Sequence, residues 1–414
     1  MLLRGRRVLA VVGGRAPALR AAAIAGCIAL LAACGGSPAA APASGPASAP
    51  VSAAAASTKP SGAALASASG AAPASAKPAT SGVASAAPSA GGSAASKPGL
   101  RKVKYGSVGA GFNPFIGMNE GDFAEQGIEV ELVRFDSAAN MVAPLGANQI
   151  DTGSGAIGAG LWNAVARGVL LKVVADAGHT DATPPGFPQQ ELIVRKALVD
   201  NGKVKSVADL KGLKVGMSVR GTSVEYAIVK MLQKGGLTMK DIDPVEMPPT
   251  EFAVAMGNGK VDAAFAIQPS VTTLLTQSIG AHLLYDWEAA PDNQSLALLY
   301  SPQFAASDLA VPFMTAYLKG VRLYDDAFQK KLPEARQKAF DAVVNYGPVK
   351  DRSVYEKYTS FFLVDPDGKL RLQSLNDQQD FFLSTGTQTT KLDFSKIIDA
   401  RFADQAAAKL GPYK

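Results

Sequence analysis

The sequence has almost no cysteine. Cys27 and Cys34 are the only two among 414 residues, and none follows position 34. Without thiols, the later chain can form no disulfide, no zinc–thiolate centre and no cysteine nucleophile. Histidine is equally scarce, with only His179 and His282. Their separation is not that of a metal-ligand pair, and without a thiol beside them no nucleophile dyad can be built. Acidic residues are absent from the first hundred positions, and aromatic residues are absent from Gly35 to Pro98. This second absence excludes a packed core there. Ala, Ser, Pro and Gly bury too little apolar surface to offset the entropy of ordering.

The missing acids also explain the basic balance. The chain holds 41 Lys and Arg against 35 Asp and Glu. Eight of the basic residues lie in the first hundred positions, so the other 33 face all 35 acids and the later chain is slightly acidic. No basic surface follows, which excludes nucleic acid as a favoured partner. Gly-rich stretches such as Gly153–Gly158 lack the partners of a Walker or dinucleotide motif, so no nucleotide cofactor is expected. No catalytic or metal-binding residue is assigned.

What is present at the N-terminus is directional. Arg4, Arg6, Arg7, Arg15 and Arg20 precede an apolar run from Ala21 to Leu31. This is the layout of a secretory signal, and the run is too short to span a bilayer comfortably. Leu31-Ala-Ala-Cys34 resembles a bacterial lipobox. The resemblance implies a signal peptide over 1–33, cleavage before Cys34 and acylation of its sulfur. Several acyl chains on one residue hold a protein on a membrane far better than one. The protein is then extracytoplasmic, at the cell surface or in the periplasm. Residues 34–99 read as a flexible tether, and Gly35–Pro98 has an r.m.s. reach of about 45 Å.

The remainder, roughly 310 residues, is long enough for a large core, most naturally in two lobes. It contains a divergent repeat. One copy begins at Lys104-Tyr-Gly106 and reaches Asn-Gln-Ile-Asp151. The other begins at Lys214-Val-Gly216 and reaches Gly-Lys-Val-Asp262. Between these points each copy reads strand, helix ending in Gly, extended segment, helix. A repeated βαβα order predicts two α/β lobes with largely parallel sheets. Val224, Ala227, Ile228, Met231 and Leu232 form the stripe of a core-facing helix, capped by Thr222 or Ser223. Thr180–Pro188 and Asp286–Asn293 flank the second copy and read as two crossings of a hinge. Lobe 1 is expected over 100–192 and 295–414, and lobe 2 over 193–294. Helices are expected over 312–330, 333–346, 353–362, 376–385 and 395–410.

Several segments together resemble a known family. They are Phe123-Ala-Glu-Gln-Gly-Ile-Glu-Val-Glu-Leu-Val133, Asn148-Gln-Ile-Asp-Thr-Gly153, Ala166-Arg-Gly-Val-Leu-Leu-Lys-Val-Val174, Val207-Ala-Asp-Leu-Lys-Gly-Leu-Lys-Val-Gly216 and Gly259-Lys-Val-Asp-Ala-Ala264. Their order and spacing resemble the nitrate/sulfonate/taurine-type substrate-binding proteins of ABC transporters, a group that includes binders of thiamine-pyrimidine precursors. Two departures concern the ligand. Val169-Leu170 lacks the usual proline, and Ala266-Ile-Gln-Pro269 lacks the usual aromatic. The resemblance implies a type II periplasmic-binding-protein fold: two α/β lobes, a two-crossing hinge and a helical C-terminal segment. It also implies capture of a small solute by a monomer and delivery to ABC permease subunits. A membrane-tethered sensory module, or a secreted enzyme related to pyrimidine-precursor synthesis, are the other readings.

In open α/β sheets ligands lie off the carboxyl ends of strands, where helix N-termini offer free N–H groups that suit anions. Three loops fit. Phe112, Asn113 and Phe115 follow the first strand, the phenylalanines covering an apolar part of a ligand. Ser154 and Gly155 are expected after the strand of Asp151. Arg220, Gly221, Thr222 and Ser223 open the amphipathic helix, with Arg220 as a planar fork for an oxyanion. Gln268 reaches in from beyond Asp262. Asp151 and Asp262 are expected to end strands and to bond backbone N–H groups. Trp162 reads as core.

Overall fold

A computed structural model describes residues 99–108, 112–181, 188, 190–218, 220–358 and 361–414. The signal peptide, Cys34 and the tether lie outside the described residues. Ten strands are described. They are β1 Arg101–Ser107, β2 Ile128–Arg134, β3 Thr152–Ala156, β4 Lys172–His179, β5 Glu191–Arg195, β6 Lys214–Met217, β7 Asp243–Glu246, β8 Ala263–Ala266, β9 Gly280–Tyr285 and β10 Gln294–Tyr300. They form two five-stranded sheets, ordered β2-β1-β3-β10-β4 and β7-β6-β8-β5-β9. The two orders match position for position, as a repeat requires. They are the frames of two lobes of a periplasmic-binding-protein fold.

The sheets are largely parallel, as expected, with one reversed strand in each. β1 runs parallel to β2 and β3, and β6 runs parallel to β7 and β8. β10 is antiparallel to β3 and β4, and β5 is antiparallel to β8 and β9. These two strands are where the chain enters one sheet from the other, so each returns against its neighbours. Both are buried along nearly their whole length, as their runs of Leu, Ile, Val and Ala require. The boundaries shift accordingly. Glu191 already belongs to the second sheet and Gln294 to the first, so the limits expected at 192/193 and 294/295 fall inside strands.

Asp151 and Asp262 stand immediately before β3 and β8, not at strand ends. Each ties down the backbone of the strand alongside. The Lys104 N–H donates to Asp151 Oδ2 at 2.8 Å, and the Lys214 N–H to Asp262 Oδ2 at 3.2 Å. In the middle of the first sheet Gly106 pairs with Gly153. A methyl on Gly153 would lie 2.8 Å from the Gly106 carbonyl oxygen, so the strands meet there without side chains.

The helix Ser223–Lys234 follows its predicted stripe: Ala227, Ile228, Met231 and Leu232 are fully buried. The Thr222 hydroxyl caps it, accepting from Val224 N at 3.3 Å. Trp162 is fully buried against Phe394, as a core residue. The helical C-terminal region is present as Ala310–Phe328, Pro333–Tyr346, Arg352–Glu356, Leu372–Ser384 and Arg401–Leu410. The helix expected over 353–362 ends at Glu356. Beyond it Leu363 accepts from the His179 N–H at 2.9 Å, which draws the chain out along β4.

Candidate functional site

The carboxyl ends of β1, β3, β6 and β8 are the places where loops from both lobes can face one another. Beyond β3 the chain passes through Ile157 and Gly158 into the helix Ala159–Ala166. Beyond β6 it passes through Arg220, Gly221 and Thr222 into Ser223–Lys234. These two loops touch. Ala159 N donates to Gly221 O at 2.8 Å, and Ser223 N donates to Ile157 O at 3.1 Å. Gly158 and Thr222 thereby form an antiparallel bridge between the lobes.

Several residues expected to meet a ligand are turned elsewhere. Phe115 is fully buried and stacks on Tyr346. Phe112 sits edge-on to Phe328, Tyr355 and Phe361, in the aromatic core of the C-terminal helices. Both rings pack on helices that lie two hundred residues later, so the expectation of an apolar ligand wall is corrected to lobe packing. Asn113 is nearly sealed from solvent, and among the described residues its Oδ1 accepts no hydrogen bond. Ser154 and Gly155 lie within β3, not in a loop after it. Strand alternation then separates them. Gly155 faces the helix Ala138–Gly146, where a methyl would stand 2.5 Å from Ala138 Cβ. Ser154 faces the other way, half-buried, with its hydroxyl 2.6 Å from Tyr105 Oη. Burial pushes the Tyr105 phenol above its ordinary range, so it stays a neutral hydroxyl.

The loop after β6 is internally satisfied. Ser223 is sealed, with its hydroxyl on Ser295 O at 3.3 Å. Gly221 N donates to Glu225 Oε2 at 2.7 Å. Arg220 Nε lies 2.5 Å from Glu246 Oε1. Arg220 and the Gly221 N–H just before the helix are thus each paired with a carboxylate of the chain. Gln268 Oε1 accepts from the Thr272 hydroxyl at 2.7 Å, and that hydroxyl also lies 3.1 Å from Lys357 O of the first lobe. Ser154 within β3, and Thr222 and Gln268 beyond β6 and β8, remain half-buried. They offer hydroxyl and amide groups, an uncharged hydrogen-bonding set suited to holding a solute.

The "NMT1/THI5 like" family model matches residues 113–324. The chain belongs to this family. An Escherichia coli K12 protein bearing the name of an aliphatic-sulfonate-binding protein is 29% identical over 162 residues, 38% of this chain and 46% of its own length. A Bacillus subtilis 168 protein of the same name is 24% identical over 297 residues, covering 70% of this chain and 82% of its own. Against the E. coli relative, the chain spans about half the length of the protein it matches. Among solved structures, the alkanesulfonate-binding protein SsuA from Xanthomonas axonopodis pv. citri aligns with a TM-score of 0.54 at 20% identity. That alignment covers 74% of this chain and 100% of the other.

The family model runs across both crossings, and sequence reasoning missed the polar seam there. Asn293 and Thr180 join the two crossings through Thr180 N to Asn293 O at 3.0 Å and Asn293 N to Thr180 Oγ1 at 2.9 Å. Next to them lies a buried ionic cluster. Asp176 accepts from Gly178 N, Gln294 Nε2, His179 Nδ1 and Asp365 N at 2.6 to 2.8 Å. Arg371 Nη2 lies 2.8 Å from His179 Nε2. A guanidinium has only hydrogens to give, so Nε2 accepts and the imidazole proton sits on Nδ1. This Asp–His pair serves an arginine, not a nucleophile. The signal that could have found it is Asp176 and His179, three apart at the end of an otherwise apolar run beside a crossing.

Proposed function

We propose that this NMT1/THI5-like protein is the extracytoplasmic capture component of an ABC importer. It holds a small organic solute with an anionic head, of the sulfonate type, between its two lobes and hands it to ABC permease subunits. The observation that carries this reading is the meeting of equivalent strand-end loops from two repeated lobes at Gly158 and Thr222. The names of the relatives support the solute class. The donors we assign are Ser154, Thr222 and Gln268, with Arg220 joining when a ligand oxyanion displaces Glu246. Acylated Cys34 and the tether 34–99 hold the lobes near the membrane.

Thermal shift followed by calorimetry, with alkanesulfonates, nitrate, carboxylates and pyrimidines, tests the proposal. A ligand that binds only the folded state raises the melting temperature as its concentration rises. Stabilisation by alkanesulfonates with one site per chain is the expected outcome; no response to any of the four classes would overturn the solute class. Cys34→Ala should move the protein from the membrane to the soluble fraction. Unchanged retention, with no acyl mass on the unsubstituted N-terminus, would remove the anchor from the proposal.

A further inference from the structure

The bridge between Gly158 and Thr222 is made of backbone alone. Its two hydrogen bonds, Ala159 N to Gly221 O and Ser223 N to Ile157 O, both cross from one lobe to the other. Gly158 has φ near −178°, ordinary extended backbone, so its conformation does not call for glycine. The close approach does. A methyl on Gly158 would stand 2.5 Å from Gly221 O and 3.0 Å from Thr222 Cα. The three atoms nearest that methyl all belong to the other lobe, and the two closest are backbone, which cannot rotate aside. The bridge rests on the start of β10, because Ile157 N and the Ser223 hydroxyl both donate to Ser295 O.

We propose that this bridge is a latch that fixes the closed arrangement of the lobes, and that Gly158 is the residue that allows it to shut. A side chain at 158 finds its nearest obstacles in the other lobe, so it acts as a wedge between the lobes. Gly160 is the matched control. It lies two residues on, in the helix that Gly158 precedes, and a methyl there meets nothing within 4 Å. When the lobes part, the freed N–H and C=O groups gain water, so the latch reopens without leaving a buried polar group unpaired. The inference goes beyond the solute-binding proposal and does not depend on which solute is bound.

The test uses the full chain with Cys27→Ser and Cys34→Ser, and with spin labels on Glu131→Cys in the first lobe and Lys203→Cys in the second, both exposed. Gly158→Ala should lengthen and broaden the interlobe distance distribution, Gly158→Val should do so further, and Gly160→Ala should leave it unchanged. Hydrogen exchange supplies the second measurement. In Gly158→Ala the Ala159 and Ser223 amides should exchange about tenfold faster or more, while Ile228 and Met231 keep their protection. A Gly158→Ala distribution identical to the parent would overturn the latch. So would Ala159 and Ser223 amides that exchange at solvent-exposed rates in the unsubstituted chain, whatever the variants do.

Discussion

In the first lobe Asp151 holds β3 to β1 through the backbone of Lys104. In the second, Asp262 holds β8 to β6 through the backbone of Lys214. The match ends there. Asp262 also accepts from Arg195 Nη2 at 2.6 Å, in a pair half-shielded from water. The first lobe instead carries the Asp176–His179–Arg371 cluster, sealed at Asp176 and His179, and the aromatic core of the C-terminal helices, while at the matching strands the second carries the looser pair of His282 Nδ1 with Glu191 Oε2 at 3.3 Å. A repeat therefore conserves strand order and the small clasps that register strands, while each lobe solves the rest of its packing separately. The first lobe receives the chain again after the second is complete, and its added helices need a fixed seat on β4 and β10. The cluster supplies it.

The comparison makes graded predictions. Asp176→Ala removes a buried carboxylate with four donors and leaves His179 Nδ1–H and the Gly178 and Asp365 amides without their acceptor. It should cost about 3–5 kcal/mol in chemical denaturation, the range for breaking a buried pair. A loss below about 1 kcal/mol would show that the first lobe does not depend on the cluster. Asp262→Ala should cost about 1.5–3 kcal/mol, because it removes a charge-assisted bond as well as a clasp. Asp151→Ala should cost nearer 1 kcal/mol, because it removes the clasp alone. Equal losses in the two variants would break the asymmetry between the lobes. Arg220→Ala should change stability by less than about 1 kcal/mol, since its pair with Glu246 is largely exposed. Screening by salt should reduce even that difference.

Much of the frame was legible because repeats survive in sequence. Asn-Gln-Ile-Asp151 and Gly-Lys-Val-Asp262 mark the same step, and the apolar run at Glu191–Arg195 is a strand. Its direction was not legible, because an apolar run does not say which way the chain enters a sheet. The site was harder to read. Phe112 and Phe115 stand three apart at the start of a helix and so share one side, but only the fold shows that this side meets Tyr346, Tyr355 and Phe361. Ser154 and Gly155 were placed one element too late, because a strand of Thr-Gly-Ser-Gly-Ala has little β-propensity of its own. Its neighbours, not its residues, make it a strand. Gly158 was passed over because a glycine required for approach to a distant backbone looks, in sequence, like any other glycine.

The central claim is that one solute is held between two lobes by closing them. The most direct measurement is the distance between spin labels at residues 131 and 203, in the full chain with Cys27 and Cys34 replaced by serine, with and without a saturating alkanesulfonate that raises the melting temperature. The account predicts a narrower distribution with ligand, centred at or below the shortest distance sampled without it, because binding both lobes favours the closed state. A ligand that binds with one site per chain while leaving the distribution unchanged would contradict it.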